Sequence, residues 1–91
     1  MNNIIDFKKI DDFKILLILE SGEKKILDAN KIINLPFLSD VDKTIWKNLI
    51  SKGNFISKLE LDFGALVWKG WTEIFPEDLY KFLEEEQQMI L

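Results

Sequence analysis

The stretch FKILLILESGEKKILDA, from Phe13 to Ala29, decides what kind of sheet this chain can form. Its first half, Phe13–Glu20, is an apolar run that places aliphatic side chains on both faces of an extended chain. A strand that is apolar on both faces is typical of the centre of a sheet. Ser21-Gly22 then interrupts the run, and a second strand-like segment follows. A polar pair containing glycine between two such segments predicts a tight antiparallel hairpin.

The segment before this stretch adds a strand to the sheet, and the segment after it lies outside the sheet. Upstream, Ile4–Ile10 reads as a first strand, which Asp11-Asp12 ends. Downstream, the segment KIINLPFLSD, residues 31–40, is irregular because its proline prevents a long helix. The chain is therefore predicted to leave the sheet after its third strand.

A middle helix is predicted over VDKTIWKNLI, residues 41–50. Ser39 or Asp40 can cap its start, and Gly53 is placed to end it. Trp46 falls off the line of aliphatic residues that recur every four positions, so we expect it at the rim of the core. The aliphatic residues on that line are Val41, Ile45 and Leu49.

The second half of the chain predicts further strands and a final helix. NFISKLELD, residues 54–62, alternates apolar and polar residues as a strand with one buried face does. Phe63-Gly64 turns the chain into ALVW, and Lys69-Gly70 turns it again into WTEIF. Pro76 opens a helix at the end of the chain. The apolar stripe of that helix is expected to comprise Leu79, Phe82, Leu83 and Ile90.

Together these elements predict an α+β fold: an antiparallel sheet of about five strands, in two hairpins, with a middle helix and a C-terminal helix. A length of 91 residues suits a single domain, 1–91. No apolar run approaches the ~20 residues of a membrane helix, and the start lacks the layout of a signal peptide. Cysteine is absent, so we expect a cytoplasmic protein.

The residue types that the chain lacks exclude several kinds of chemistry. It contains no His, Cys or Arg. Zinc sites built from His and Cys, and Ser-His or Cys-His nucleophiles, are therefore excluded. We expect no metal, no cofactor and no catalytic residue. The formal net charge is −4 and all 12 positive charges are lysines, so long-range repulsion opposes binding to nucleic acid.

Three stretches, FKILLILESGEKKILDA, LELDFGALVW and IFPEDLY, together resemble the small bacterial proteins of the domain of unknown function 2442 family. The resemblance covers about residues 4–81, with a C-terminal helix extension to 91. Many members have Pro-Asn-Gly-Ala after the tryptophan, whereas this chain has Lys69-Gly70-Trp71-Thr72, and Lys25 stands where Arg is common. The matching positions are Gly22, Glu23, Lys24, Asp28, Asp62, Gly64, Leu66, Trp68, Pro76, Glu77, Leu79 and Tyr80.

This resemblance implies an α+β fold and little chemistry. Some members are encoded beside a second small protein in an arrangement that looks like toxin and antitoxin, and others carry a helix-turn-helix domain after this one. Because the sequence ends at Leu91, we expect this chain to act without such a DNA-reading domain. With the acidic net charge, the resemblance implies a non-catalytic, antitoxin-like interaction module. Its expected partner is a basic toxin-like protein or a second copy of itself.

The binding surface is predicted at the end of the sheet where Trp71 emerges and along the final helix. The Lys69-Gly70 turn separates Trp68 from Trp71, so one indole can fill the core while the other is displaced toward solvent. Tryptophan is frequent at interface hot spots, and acidic residues beside an apolar tip suit a partner with basic groups around a hydrophobic groove. The predicted binding residues are Trp71, Glu73, Glu84, Glu85, Met89 and Ile90.

Two other functions stay open from the sequence. One is a small-molecule binder, or an enzyme, that uses the carboxylates near Trp71, namely Glu73, Glu77 and Asp78. The other is a transcription-associated or nucleic-acid-linked regulator, which requires the lysines of the first hairpin to meet on one sheet face. Those lysines are Lys8, Lys9, Lys24 and Lys25.

Overall fold

The computed structural model describes the backbone of residues 2–90 and the side chains of residues 2–83. This part of the chain forms six strands and four helices in an α+β arrangement. None of the described helices is long and apolar enough to cross a membrane. In chain order the elements are β1 (Ile4–Asp11), β2 (Lys14–Leu19), β3 (Lys24–Asp28), α1 (Ala29–Ile32), α2 (Asp40–Ser51), α3 (Asn54–Ser57), β4 (Leu59–Asp62), β5 (Ala65–Trp68), β6 (Thr72–Ile74) and α4 (Pro76–Ile90).

The first sheet confirms the predicted hairpin and the central position of its longest apolar strand. β2 pairs antiparallel with β1 on one side and with β3 on the other. Its inward side chains, Ile15, Leu17 and Leu19, are fully buried. Leu16 and Ile18 on the opposite face are half-buried. The outer face of this sheet therefore stays partly open to solvent.

The prediction of a single sheet with about five strands is wrong, because the strands form two three-stranded sheets. β4, β5 and β6 follow one another in a second antiparallel meander. The sheets are separate because β3 runs directly into α1, where the Asp28 carboxylate caps the helix by accepting from the Asn30 N–H at 2.9 Å. The chain thus turns away from the first sheet. The two sheets meet where the Ile4 N–H donates to Gly64 O at 3.4 Å.

The ends of α2 follow the sequence prediction. Ser39 Oγ accepts from the Asp42 N–H at 3.1 Å, which makes Ser39 the N-cap. Gly53 follows the helix with a φ of 71°, the left-handed conformation that glycine adopts without strain. The capping residue and the terminating glycine were both readable from the sequence.

The buried face of α2 corrects the prediction. Val41 is 70% exposed, so it does not continue the core line of Ile45 and Leu49. Trp46, which we predicted at the rim, is only 2% exposed. Its indole packs edge-on against Trp68, with ring centroids 5.0 Å apart. The large aromatic area of Trp46 gains more by burial than Val41 does, so the helix is rotated toward the tryptophan.

The strand predicted over residues 54–62 is correct only in its second half. Asn54–Ser57 forms α3, a single helical turn, and Leu59–Asp62 is extended as β4. A short apolar pair between polar residues, here Phe55-Ile56, fits a helical turn as well as it fits a strand. Phe55 is the inward residue of this turn, and it is fully buried.

One hydrophobic cluster joins the two sheets and the helices, and its centre is aromatic. Trp68 fills the core as predicted, with 0% exposure. Its indole Nε1 donates to Phe55 O at 2.8 Å, and the Phe55 ring stacks on it with centroids 5.8 Å apart. The bond removes the cost of burying the indole N–H. Trp68 is therefore a structural residue.

The first residues of the chain tie the Ser21 hairpin to α4. Asn2 Nδ2 donates to Tyr80 Oη at 2.9 Å and to Ser21 Oγ at 3.1 Å. Asn2 Oδ1 accepts from the Ser21 N–H at 3.1 Å, and the Ser21 hydroxyl donates to Glu23 at 3.2 Å. These hydrogen bonds close the turn and hold α4 against it. The Ser21 hydroxyl therefore has a structural role.

Candidate functional site

Trp71 lies in the loop between β5 and β6 and is half-buried against the core cluster. The backbone N–H of Trp71 donates to the backbone oxygen of Trp68 at 2.8 Å, and Gly70 adopts a φ of 84° to close the turn. Lys52 Nζ lies 5.5 Å from the centroid of the Trp71 ring, within the range of a cation–π contact. The indole therefore already contacts a cation of the same chain.

The other predicted binding residues are distributed differently. Glu73 is exposed on β6 and borders two cavities, neither of which Trp71 lines. Glu84, Glu85, Met89 and Ile90 belong to α4, but their side chains lie outside the described residues. Of the two predicted residues whose side chains are described, Glu73 borders these two cavities and Trp71 does not.

The outer face of the second sheet is apolar at its centre and acidic at its edges. In the pairing register, Val67 on the central strand stands between Glu60 on β4 and Glu73 on β6. A cavity of about 300 Å³ lies beside this row and is bordered by Phe63 and Phe75. We define the acidic face as Glu60, Asp62, Phe63, Val67, Glu73 and Phe75.

Phe63 is the most unusual residue of the acidic face. Asp62 and Ala65 pair across the hairpin, so Phe63 and Gly64 form a two-residue turn, with φ values of 47° and 78°. Two positive φ values define a type I′ turn, whose first central position favours Asn, Asp or Gly. Phe63 is also 98% exposed. Phe63 is thus unfavourable at this position for two reasons. The turn requires a backbone conformation that phenylalanine rarely adopts, and the aromatic ring remains in solvent.

Gly64 is needed for a second reason besides its positive φ. A Cβ atom at this position would lie 2.8 Å from the Asn3 side chain, closer than atoms can pack. The segment before β1 is therefore seated directly against the turn. This contact supports the hairpin that presents Phe63.

The second cavity beside Glu73 has a volume of about 260 Å³ and aromatic walls. Phe37 packs edge-on against Phe82 at 5.3 Å, and Phe82 lies 6.1 Å from Trp46. Carboxylates from three elements border the same opening. We define the aromatic pocket as Phe37, Asp42, Trp46, Glu73, Asp78 and Phe82.

The carboxylates that follow Trp71 in the sequence are divided between the two cavities: Asp78 borders one, Glu77 the other and Glu73 both. Glu73 and Glu77 are exposed, and Asp78 pairs with Lys81 at 3.9 Å across one helical turn. Within the described part of the chain, no group of three or more Asp or Glu residues is arranged to hold a metal ion.

The lysines of the first sheet do not meet on one face. Lys8 pairs with Leu16 and Lys24 with Ile18, which places both lysines on the outer face. Lys9 and Lys25 pair with Ile15 and Leu17, the inward residues of β2. The condition that we set for a nucleic-acid surface on this sheet is therefore not met.

The sequence prediction missed Phe63 and the walls of the aromatic pocket. Phe63 had a readable signal, because a phenylalanine stands before Gly64 where hairpin turns favour Asn or Asp. Phe37 and Asp42 had none, since they reach the pocket only through the packing of the irregular segment and α2 against α4.

Comparison of the chain with protein-family models, with curated proteins and with solved structures finds no match.

Proposed function

We propose that this chain is a non-catalytic interaction module that binds a basic protein through the acidic face. The observation that carries the proposal is Phe63, an aromatic residue held in solvent at a strained turn position. A positive φ costs a non-glycine residue about 1–2 kcal/mol, and such strain is often retained at functional sites. A partner that buries the Phe63 ring explains why an aromatic residue is retained at this strained and exposed position.

The composition of the acidic face indicates the chemistry of its partner. Burial of apolar area contributes roughly 25 cal/mol per Å², so covering the Phe63 and Phe75 rings supplies affinity. Glu60, Asp62 and Glu73 around them attract positive charge, which raises the association rate and selects the partner. A protein that presents lysine or arginine side chains around an apolar groove fits this face.

The toxin-neutralising role implied by the family resemblance belongs to this proposal. An acidic antitoxin that covers a basic toxin needs a surface of this chemistry and no catalytic residue. We also propose that the chain belongs to the domain of unknown function 2442 family and is cytoplasmic. The toxin-neutralising role predicts a small basic protein encoded beside this one.

A second copy of the chain is the other candidate partner, and the first sheet supplies the reason. Its outer face carries a row of Lys8, Leu16 and Ile26, an apolar centre with a lysine at the edge. Its lysine has the opposite charge to Glu60 and Glu73, which flank Val67 on both sides, and Asp6 lies in the adjacent row. Contact between the unlike faces of two copies is head-to-tail.

The experiment places a photoreactive benzoylphenylalanine at position 63, or at position 41 as a control on another exposed apolar residue. The tagged chain is cross-linked in a cytoplasmic extract of its host, and the captured protein is then purified. We expect cross-linking from position 63 to a basic protein, or to the chain itself, and none to that protein from position 41.

Calorimetry with the purified partner supplies the quantitative test. Phe63→Asn should weaken binding at least about tenfold, because the aromatic anchor is lost, whereas Val41→Asn should leave it unchanged. Raising the salt concentration should weaken binding further. Equal affinity of both variants, or an affinity that is insensitive to salt, would show that the acidic face is not the binding surface.

A further inference from the structure

The outer face of the first sheet is a second surface with an apolar centre and charged edges. Its two central rows each place an aliphatic residue of β2 beside a lysine of an edge strand: Leu16 pairs with Lys8, and Ile18 with Lys24. Both lysines are exposed, and Ile26, which pairs with Leu16 on β3, is 41% exposed. We define the lysine face as Lys8, Leu16, Ile18, Lys24 and Ile26.

The lysine face keeps a positive charge although an acid lies in one of its rows. Asp6 pairs with Ile18 on the side opposite Lys24, and its carboxylate accepts from the Phe7 N–H of its own strand at 2.8 Å. Two exposed lysines outweigh this single acid, on a chain whose formal net charge is −4. The acidic face carries three carboxylates around its own apolar centre. The two faces are therefore opposite in charge and alike in having an apolar centre.

Like charges disfavour contact between identical faces. Two acidic faces repel each other, and so do two lysine faces, which opposes a two-fold symmetric dimer through either surface. An acidic face placed on a lysine face instead brings carboxylates near ammonium groups and covers apolar side chains of both copies. Such a contact joins different surfaces, so a pair of copies still has one free face of each kind.

We propose that the lysine face of one copy covers the acidic face of the next, in a weak head-to-tail contact that a basic partner displaces. The inference rests on the proposed function, because it uses the same acidic face. The Phe63 ring projects from that face and supplies the apolar surface that lies against Leu16 and Ile26. A neighbouring copy thus covers this ring when no other partner is bound.

The size of the two faces determines how strong the contact is. Three strands about 4.8 Å apart and about five residues long give each face an area of roughly 240 Å². A stable interface buries about 800 Å² per partner, so a contact of this size is weak. The net charge of −4 on each copy opposes association, although salt at about 0.1 M screens charges more than about 10 Å apart. We therefore expect a Kd on the order of 100 μM, which a larger basic interface exceeds.

Sedimentation equilibrium of the purified chain between about 10 μM and about 1 mM tests the contact. The weight-average mass should rise beyond that of a dimer, because a head-to-tail contact leaves free faces at both ends. Lys24→Glu reverses a charge of the lysine face and Phe63→Asn removes the ring of the acidic face. Each should weaken association at least about tenfold. Lys47→Glu makes the same charge change on the exposed side of α2, and Val41→Asn removes another exposed apolar side chain, so both should associate as the parent does.

An equimolar mixture of the Lys24→Glu and Phe63→Asn variants tests which faces meet. The first variant keeps its acidic face and the second keeps its lysine face, so the two should bind each other with the affinity of the parent. The mixture should stop at the mass of a dimer, because the two altered faces that remain are both acidic. Recovery of binding in the mixture also shows that both variants are folded. A parent whose mass levels off at a dimer, or a mixture that stays monomeric, would refute the head-to-tail contact.

This contact and the proposed function can fail separately. A parent that stays monomeric at about 1 mM, while position 63 captures a basic protein, would refute the self-contact and support the proposed function. Association of the chain without capture of any basic protein would support the self-contact and refute the basic partner. Where both occur, the captured protein should dissolve the assemblies at an equimolar ratio. Assemblies that persist would refute the displacement.

Discussion

The two sheets of this protein share one topology and differ in what they bury and what they expose. Each is an antiparallel meander of three strands with the middle strand at its centre. The first buries aliphatic side chains, with Leu17 in the middle. The second buries Trp68, which packs against aromatic rings from α2 and α3. The first sheet exposes lysines among mixed charges, whereas the outer face of the second is acidic.

The turns of the two sheets also differ, because one follows the residue preferences of hairpin turns and the other does not. Ser21-Gly22 obeys hairpin preferences, and its polar groups bond to Asn2 and Glu23. Phe63-Gly64 has the right glycine but the wrong residue before it. A residue that breaks a local rule at an exposed turn is typical of a position kept for function. This difference between the turns is the reason for proposing the second sheet as the binding surface.

Trp68→Ala is expected to have the largest effect on this comparison. It removes the central ring of the second sheet and leaves Phe55 O without its donor, so it should lower the free energy of unfolding by about 3–5 kcal/mol. That is a large share of the stability of a small domain. Urea unfolding followed by circular dichroism measures the change. A midpoint close to that of the parent would mean that the aromatic centre does not hold the second sheet.

Leu17→Ala is the corresponding change in the first sheet. The side chain is fully buried at the centre of β2, so its truncation should cost about 3 kcal/mol. Because one cluster joins both sheets, the two variants should unfold in single transitions, with the leucine variant the more stable. If Leu17→Ala instead produced two transitions, the sheets would be independent units and the shared core would be the wrong description.

The elements of the first sheet could be predicted because local signals decide them. The apolar run of β2 and the Ser21-Gly22 turn each act within a few residues. The Ser39 cap of α2, outside this sheet, does so too. The same holds for Pro76, which begins α4 where the sequence places it. Such signals identify elements and turns without reference to the rest of the chain.

The errors arose where packing between distant segments decides the outcome. Trp46 is buried because Trp68, far along the chain, offers it an aromatic partner, and no pattern within α2 carries that information. The separation of the sheets depends on the path that the chain takes after Asp28. The aromatic pocket likewise forms from segments that meet only in the folded chain. Glu73, which borders this pocket, was predicted as a binding residue only because it lies near the aromatic stretch.

Phe63→Asn should remove the contrast between the two turns by making the second one regular. Asparagine tolerates the positive φ, and the change sacrifices almost no burial because Phe63 is fully exposed. We expect a gain of about 1 kcal/mol in the free energy of unfolding, together with the loss of partner binding. Thermal unfolding of the two proteins measures the gain. A destabilised variant would show that the ring makes contacts that stabilise the chain, and the binding argument would lose its basis.

The smallest expected effect concerns Trp71, where the second sheet meets the C-terminus of α2. Lys52 Nζ lies over the Trp71 ring at 5.5 Å, and this contact accounts for the half-exposed indole without a partner protein. A double-mutant cycle of Lys52→Gln and Trp71→Leu should give a coupling energy of about 0.5 kcal/mol, the value of a cation–π contact near solvent. The separate losses of helix-end charge and aromatic area cancel in the cycle, which leaves the pair itself. A coupling near zero, with partner affinity reduced by Trp71→Leu alone, would return Trp71 to the binding surface and extend that surface beyond the acidic face.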